Sequence, residues 1–244
     1  MDYEMFEDGF SHTSLGAIHF KHHPGTGEKL IFLHGLGGTT LVWKRLMEEM
    51  PDDLDIYLID LLGHGESDAP DIDYTVSAQF QVLREFISLN NNGNSYLFGH
   101  SYGAWVAAYY ATQPYTCNGL ILEDSAGVKE EFEDAASSGT LDSSRAALMK
   151  AALEFGANEH VLRSILYSNY IEDALDRSML SNIKQRTMLL WGANDSVVPL
   201  KYGMILNSEI KGSALEIIND AGHEPHYEKP KEVADAVSRF VSKA

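Results

Sequence analysis

Apolar positions follow two rhythms along the chain. Short continuous runs recur: "LIFL" (Leu30 to Leu33), "IYLI" (Ile56 to Ile59), "SYLFG" (Ser95 to Gly99), "LILED" (Leu120 to Asp124), "TMLLWG" (Thr187 to Gly192) and "ALEII" (Ala214 to Ile218). Each is strand-length and bounded by polar or glycine residues, which predicts strands covered on both faces. Between them lie segments with helical spacing. Val42, Leu46 and Met50 mark one, which Pro51 ends. Val76, Phe80, Leu83 and Ile87 form the apolar stripe of a helix over Tyr74 to Asn90, closed by the turn signal "NNNGN". "SYGAWVAAYYAT" after Gly99 is helical and rich in alanine, and "KEVADAVSRFVSKA" puts Val233, Val237, Phe240 and Val241 on one side. Near the start, "AIHFKHH" and "LIFLHG" flank Pro24-Gly25-Thr26-Gly27 and predict a hairpin that feeds a buried strand.

Strands alternating with helices predict an α/β fold, a mostly parallel central sheet with helices on both faces. The rhythm breaks over residues 128–184. "SSRAALMKAALEF", "NEHVLRSILYS" and "EDALDRSML" predict three short amphipathic helices there and no strand. That stretch is too long for an ordinary connection. It predicts a helical insertion, with residues 1–127 and 185–244 forming one core.

Composition narrows the chemistry. With 44% hydrophobic and 22% charged residues, the 244-residue chain is expected to fold. A net charge of -18 disfavours nucleic-acid backbones and anionic membranes as partners. Cys117 is the sole cysteine, so no intrachain disulfide forms, and a buried inert thiol is expected. "MDYEMFEDGF" has no apolar secretory core and no run is long enough to span a bilayer, so a cytoplasmic protein is expected. Oligomeric state is not legible.

The densest chemical signal is "GHSYG" (Gly99 to Gly103), at the carboxyl end of a predicted strand and the start of a predicted helix. Ligands of open parallel sheets bind beyond such ends. A strand that bends sharply into a helix crowds the positions two before and two after the apex, where glycine is needed. Ser101 is thereby held at the tip, as in the nucleophile elbow G-x-S-x-G.

Four stretches resemble the α/β-hydrolases: "FLHGLGG" (Phe32 to Gly38), "DLLGHGESD" (Asp60 to Asp68), "GHSYG", and "LLWGANDSVVP" with "DAGHEPHYEKP". The resemblance spans nearly the whole chain and identifies the insertion with a cap over the site. It implies Ser101 as nucleophile, His223 as base and Asp195 as the acid that orients it, in the order Ser, Asp, His. It also implies an oxyanion hole from the amides of Tyr102 and Leu36, the latter after His34 and Gly35. Relatives commonly carry arginine where Leu62 stands. Rivals remain: Asp124, where some relatives carry their acid; Asp220 as a loop acid; His226 beside His223. His100 and His34 are expected to be structural.

Serine, not aspartate, at the apex argues against haloalkane dehalogenase and epoxide hydrolase chemistry. Serine, not cysteine, argues against dienelactone hydrolases, and "GHSYG" is not the "GGSWG" of proline peptidases. Carboxylesterases, monoacylglycerol lipases, thioesterases, lactonases, perhydrolases and carbon–carbon bond hydrolases stay open. The expected activity is hydrolysis of small or medium acyl esters through an acyl-enzyme, without cofactor. Leu148, Met149, Leu153, Phe155, Leu162, Leu166 and Tyr167 are expected to give the cap an apolar surface for the acyl part. A non-catalytic small-molecule receptor is the alternative class. "HEPH" and His22-His23 lack a metal-ligand pattern, "GLGG" lacks a nucleotide-binding one, and "EEFED" (Glu130 to Asp134) is expected to be a solvated acidic face.

Overall fold

The computed structural model describes residues 1–90, 94–154, 156–167 and 173–242. Phe155 and residues 91–93 of the expected Asn-rich turn lie outside them. The strands are β1 (Glu7–Thr13), β2 (Gly16–His23), β3 (Lys29–Leu33), β4 (Asp55–Ile59), β5 (Tyr96–His100), β6 (Gly119–Glu123), β7 (Thr187–Gly192) and β8 (Ala214–Ile218). The α-helices are α1 (Lys44–Glu49), α2 (Val76–Leu89), α3 (Tyr102–Thr112), α4 (Lys129–Ser137), α5 (Leu141–Glu154), α6 (Glu159–Tyr167), α7 (Arg177–Ser181), α8 (Leu200–Glu209), α9 (Pro225–Glu228) and α10 (Pro230–Val241).

One sheet runs β1-β2-β4-β3-β5-β6-β7-β8. The β1–β2 and β2–β4 pairs are antiparallel and the others parallel. Every residue of β5, β6 and β7 is buried, as their unbroken apolar runs require. Two apolar cores flank the sheet. One packs Leu33, Leu97, Leu122 and Trp191 against α2 and α3; the other packs Phe32, Phe98, Ile121 and Leu190 against Trp43, α1 and α10.

The hairpin is not where the turn signal put it. β2 and β3 are not neighbours; the hairpin is β1–β2, and β4 lies between β2 and β3. β1 reads "EDGFSHT" and is mostly exposed, so it has no apolar run to reveal it. Pro24 to Gly27 instead begins a crossing. The Gly27 amide donates to the Asp53 carbonyl at 2.7 Å, tying it to the chain before β4.

Helix α2 starts where Thr75 accepts the Ala78 amide, and buries Val76, Leu83 and Ile87. It also buries Gln79, whose amide group donates to the Leu62 carbonyl at 2.8 Å and accepts from the Leu62 amide at 3.2 Å. Leu62, at the position relatives give to arginine, is itself fully buried. Asp60 organises the rest of that motif. It is buried and accepts from the Thr40 amide at 2.7 Å, the Glu66 amide at 3.0 Å and His19 Nδ1 at 2.8 Å.

Among the described residues, four helices, α4 to α7, lie between β6 and β7. The segment is pinched at its base by a bridge between Val128 and Leu175, where the Lys129 amide donates to Leu175 and the Leu175 amide to Gly127. In "EEFED" Glu133 and Asp134 are exposed, as expected of an acidic face, and the face also makes surface ion pairs. It lies in α4, where Glu130 pairs with Arg177 and Asp134 with Lys201 and Tyr202, linking α4 to α7 and α8.

Candidate active site

The connection from β3 to β4 runs to one side of β3, and β5 lies on its other side. The carboxyl ends of β3 and β5 therefore flank the point where the strand order reverses, where crevices form in open α/β sheets. Both glycine-bearing motifs end there.

Ser101 caps β5 with φ 51° and ψ -112°, a left-handed conformation that a serine adopts only at a cost of about 1–3 kcal/mol. Neighbouring backbone holds it. The Ser101 amide donates to the Glu123 carbonyl at 2.9 Å, and its carbonyl accepts from the amides of Trp105 at 3.1 Å and Ala126 at 3.3 Å. The flanking glycines are obligatory. A Cβ on Gly99 would sit 2.4 Å from the Gly103 carbonyl oxygen, and one on Gly103 would sit 2.2 Å from the Leu33 carbonyl oxygen. Helix α3 thus approaches β3 and β5 more closely than any side chain at those positions allows.

His223 follows Gly222 in the loop between β8 and α9. That loop is fixed from both sides. The Asn194 amide donates to the Ala221 carbonyl at 2.9 Å, and the Gly222 amide donates to both carboxylate oxygens of Glu228 at 3.0 Å. His100 Nε2 donates to the His223 carbonyl at 2.7 Å. So placed, the imidazole faces Ser101 on one side and Asp195 on the other. His223 Nδ1 donates to Asp195 Oδ2 at 2.8 Å, leaving Nε2 as acceptor for the Ser101 hydroxyl at 3.0 Å.

Asp195 sits in a turn after β7, where its Oδ1 accepts from the amides of Val197 at 2.8 Å and Val198 at 3.0 Å. Burial would push its carboxyl up. The hydrogen bond and charge of His223, the neighbouring Asp124 and the Val198 amide outweigh that and hold it below the ordinary carboxylate value.

The rival residues sort by place. Asp220 is exposed on a turn with φ 55°, and His226 is buried on Glu123 at 2.5 Å, below the Trp43 ring. Neither is hydrogen-bonded to Ser101 or His223 among the described residues. His34 is a brace: Nδ1 donates to the Gly35 carbonyl at 2.7 Å and Nε2 accepts from the Leu61 amide at 3.0 Å. Burial lowers its pKa, which keeps it neutral as those bonds require. His100 is likewise held well below the ordinary value, by burial first and then by the charges of His226 and His223.

The loop after β3 runs beside the serine. A Cβ on Gly35 would lie 3.4 Å from Ser101 Cβ and 2.8 Å from His100 Nδ1. Gly37, at φ 75°, packs under Ala152 of α5, where an added Cβ would meet the alanine methyl at 2.5 Å. Leu36 lies between these contacts. The amide of Tyr102 opens α3, where helix N-termini favour negative charge.

Two clusters bring metal-ligand atoms within 4.8 Å of one another: His100, Glu123 and His226; and Asp124, Asp195 and His223. In each cluster one imidazole Nδ1 is hydrogen-bonded to a carboxylate, His226 to Glu123 and His223 to Asp195. Burial of Glu123 and Asp124 was not legible from sequence, although two adjacent acids closing an apolar strand were a signal that one faces inward. The described clefts on the insertion do not reach Ser101; one, of about 450 Å³, is lined by Met149, Leu153, Arg163 and Tyr167. The Cys117 thiol is half-buried, and burial pushes it up to about 12. His22 and His23 bind separately, to Asp55 and to the Leu54 carbonyl.

Residues 30–236 match a model of the alpha/beta hydrolase family. An uncharacterized protein of Mycobacterium tuberculosis is 25% identical over 89% of this chain and 76% of its own length. Lipase 3 of a Moraxella species is 26% identical over 88% of this chain and 78% of its own. A solved bacterial membrane phospholipase A superposes with a TM-score of 0.80 at 23% identity, over 98% of this chain and 86% of that one. At that identity the superposition speaks to fold.

Proposed function

The chain belongs to the alpha/beta hydrolase family, and on that premise we propose that it is a serine hydrolase of carboxylic esters with small or medium acyl chains. The observation that carries this reading is the continuous contact Ser101 Oγ to His223 Nε2 to Asp195 Oδ2, at 3.0 and 2.8 Å. Ser101 is the nucleophile, His223 the base and Asp195 the acid that fixes the imidazole tautomer. As Ser101 Oγ bonds the ester carbonyl carbon, its proton passes to His223 Nε2. The carbonyl oxygen becomes an oxyanion held by the amides of Leu36 and Tyr102, with Gly35 giving the loop its close approach. Losing one such donor costs about 3 kcal/mol in the barrier. His223 then protonates the leaving alkoxide, and the acyl-enzyme remains. Water gives its proton to His223 and attacks the acyl carbon; the bond to Ser101 Oγ then breaks as His223 returns that proton to Oγ, which releases the acid and the free hydroxyl of Ser101. No cofactor takes part.

In this reading residues 128–184 are a cap over the core of 1–127 and 185–244. The pinch at Val128 and Leu175 and the contact of Ala152 with Gly37 support it. Of the apolar side chains expected on the cap, Leu162 and Leu166 are buried, together with Ile165, in keeping with an apolar underside for an acyl group, whereas Leu148, Leu153 and Tyr167 are exposed. The test is turnover of p-nitrophenyl esters from acetate to dodecanoate, with Ser101→Ala as control. Turnover that peaks at a short or medium chain and disappears in the variant supports the proposal. No turnover, with no covalent labelling of Ser101 by a phosphonate, overturns it.

A further inference from the structure

Asp124 follows β6 and is fully buried, held at φ 44°. Its Oδ1 accepts from the Gly192 amide at 3.0 Å, while Oδ2 meets no N–H donor among the described residues. Asp195 lies beside it: ligand oxygens of both carboxyls and a ring nitrogen of His223 are all within 4.8 Å of one another. Two carboxyls this close and this buried do not both ionise. Asp195 receives three N–H donors, from Val197, Val198 and His223. Asp124 receives one, and Glu123 stands next to it. The proton therefore belongs on Asp124.

We propose that Asp124 keeps its proton at neutral pH and donates from Oδ2 to Asp195, as a positioning residue for the carboxylate that orients His223. The proposal rests on the Ser101–His223–Asp195 reading above. The charged and titratable groups facing the pair are Glu123 from β6, His223 from the loop after β8, and Glu131 from α4, which burial first and then the charge of Asp195 push up to about 7. Burial above all, with the acids Glu123 and Asp195, pushes Asp124 up to about 11. The arrangement also resolves why both acids stand at this corner. One stays ionised beside the imidazole, and the other stays neutral and supplies the fourth donor that completes the shell of the first.

The test uses Asp124→Asn, which keeps a donor in the same place, and Asp124→Ala, which removes it. Infrared spectra at neutral pH are expected to show a carboxylic-acid C=O stretch in the wild type that Asp124→Asn lacks. On a p-nitrophenyl ester, Asp124→Asn is expected to keep kcat within about 3-fold and leave the acid limb of the kcat/KM profile in place, while Asp124→Ala loses about 10- to 100-fold in kcat at unchanged KM, as misplacement of a catalytic group does. No carboxylic-acid band, or an acid limb that moves down by about one unit in Asp124→Asn because a charge beside His223 is gone, overturns the protonated state. Wild-type kcat in Asp124→Ala overturns the positioning role. A wild type without turnover on any ester removes the Ser101 reading and the positioning role with it, while the infrared band still decides where the proton sits.

Discussion

His34 accepts the Leu61 amide at Nε2, 3.0 Å away, so the loop after β3 and the loop after β4 are joined through one imidazole. Its other nitrogen donates to Gly35, the residue that brushes Ser101. His34→Ala leaves the buried Leu61 amide without an acceptor, which costs about 1–3 kcal/mol. Thermal denaturation is expected to show that loss. Ester turnover is expected to fall as well, while phosphonate labelling of Ser101 persists. Wild-type stability in the variant would show that the brace contributes nothing.

The strain at Ser101 gives a separate expectation. Ser101→Gly removes the hydroxyl and also the left-handed penalty, so it is expected to be inactive yet more stable than wild type by about 1 kcal/mol or more. Ser101→Ala is inactive without that gain. Chemical denaturation of the two variants side by side reads the difference. Gly103→Ala is the opposite case: its methyl would lie 2.2 Å from the Leu33 carbonyl oxygen, and little folded protein is expected.

Asp124 predicts how stability varies with pH. The unfolded chain releases this proton near the ordinary value of 3.8, whereas the folded chain keeps it up to about 11. Its contribution is therefore complete below the unfolded value and declines as pH rises toward the folded one. Asp124→Asn has no such proton to lose. Its melting temperature is expected to exceed that of wild type at about pH 8, with the gap closing toward about pH 4. A gap independent of pH would contradict this.

His64 works in the other direction. Burial, with the nearby His34, lowers it from 6.5 to about 3. The unfolded chain takes up a proton below 6.5 that the folded chain refuses until about 3, so stability is lost across that window as pH falls. His64→Asn retains a donor for the Leu62 carbonyl and is expected to flatten the acid side of the stability profile. An unchanged acid slope would show that His64 is not its source.

The central strands were legible because burial on both faces demands unbroken apolar runs, and β5, β6 and β7 have them. β1 was not legible, since an edge strand with one wet face carries "EDGFSHT". Helix α8 was missed because its apolar positions are diluted by Lys201, Asn207 and Ser208, and it starts at Pro199 without a side-chain cap. Helix α4 was hidden by its acids, of which Glu130 and Asp134 pair with Arg177 of α7 and Lys201 of α8. The residues of the candidate site stood out because sharp bends and fixed chain order leave few choices. Their supports did not. Gln79, Glu123 and Asp124 are polar residues whose partners lie elsewhere in the chain; Asp124 stood out only as a rival acid, and two acids closing a strand signal that one faces inward without saying what it meets.

The meeting of Gly37 with Ala152 bears on how this scaffold can be re-engineered. The loop beside Ser101 is roofed by a methyl group from a segment that, in grafting experiments, would be the natural part to exchange. A donor segment with leucine or phenylalanine at that point would drive the glycine loop downward and shift the Leu36 amide with it. Under the proposed function, transplanted insertions on this body would therefore carry their own rate changes, unrelated to the substrates they admit, unless a residue no larger than alanine is kept at the seam.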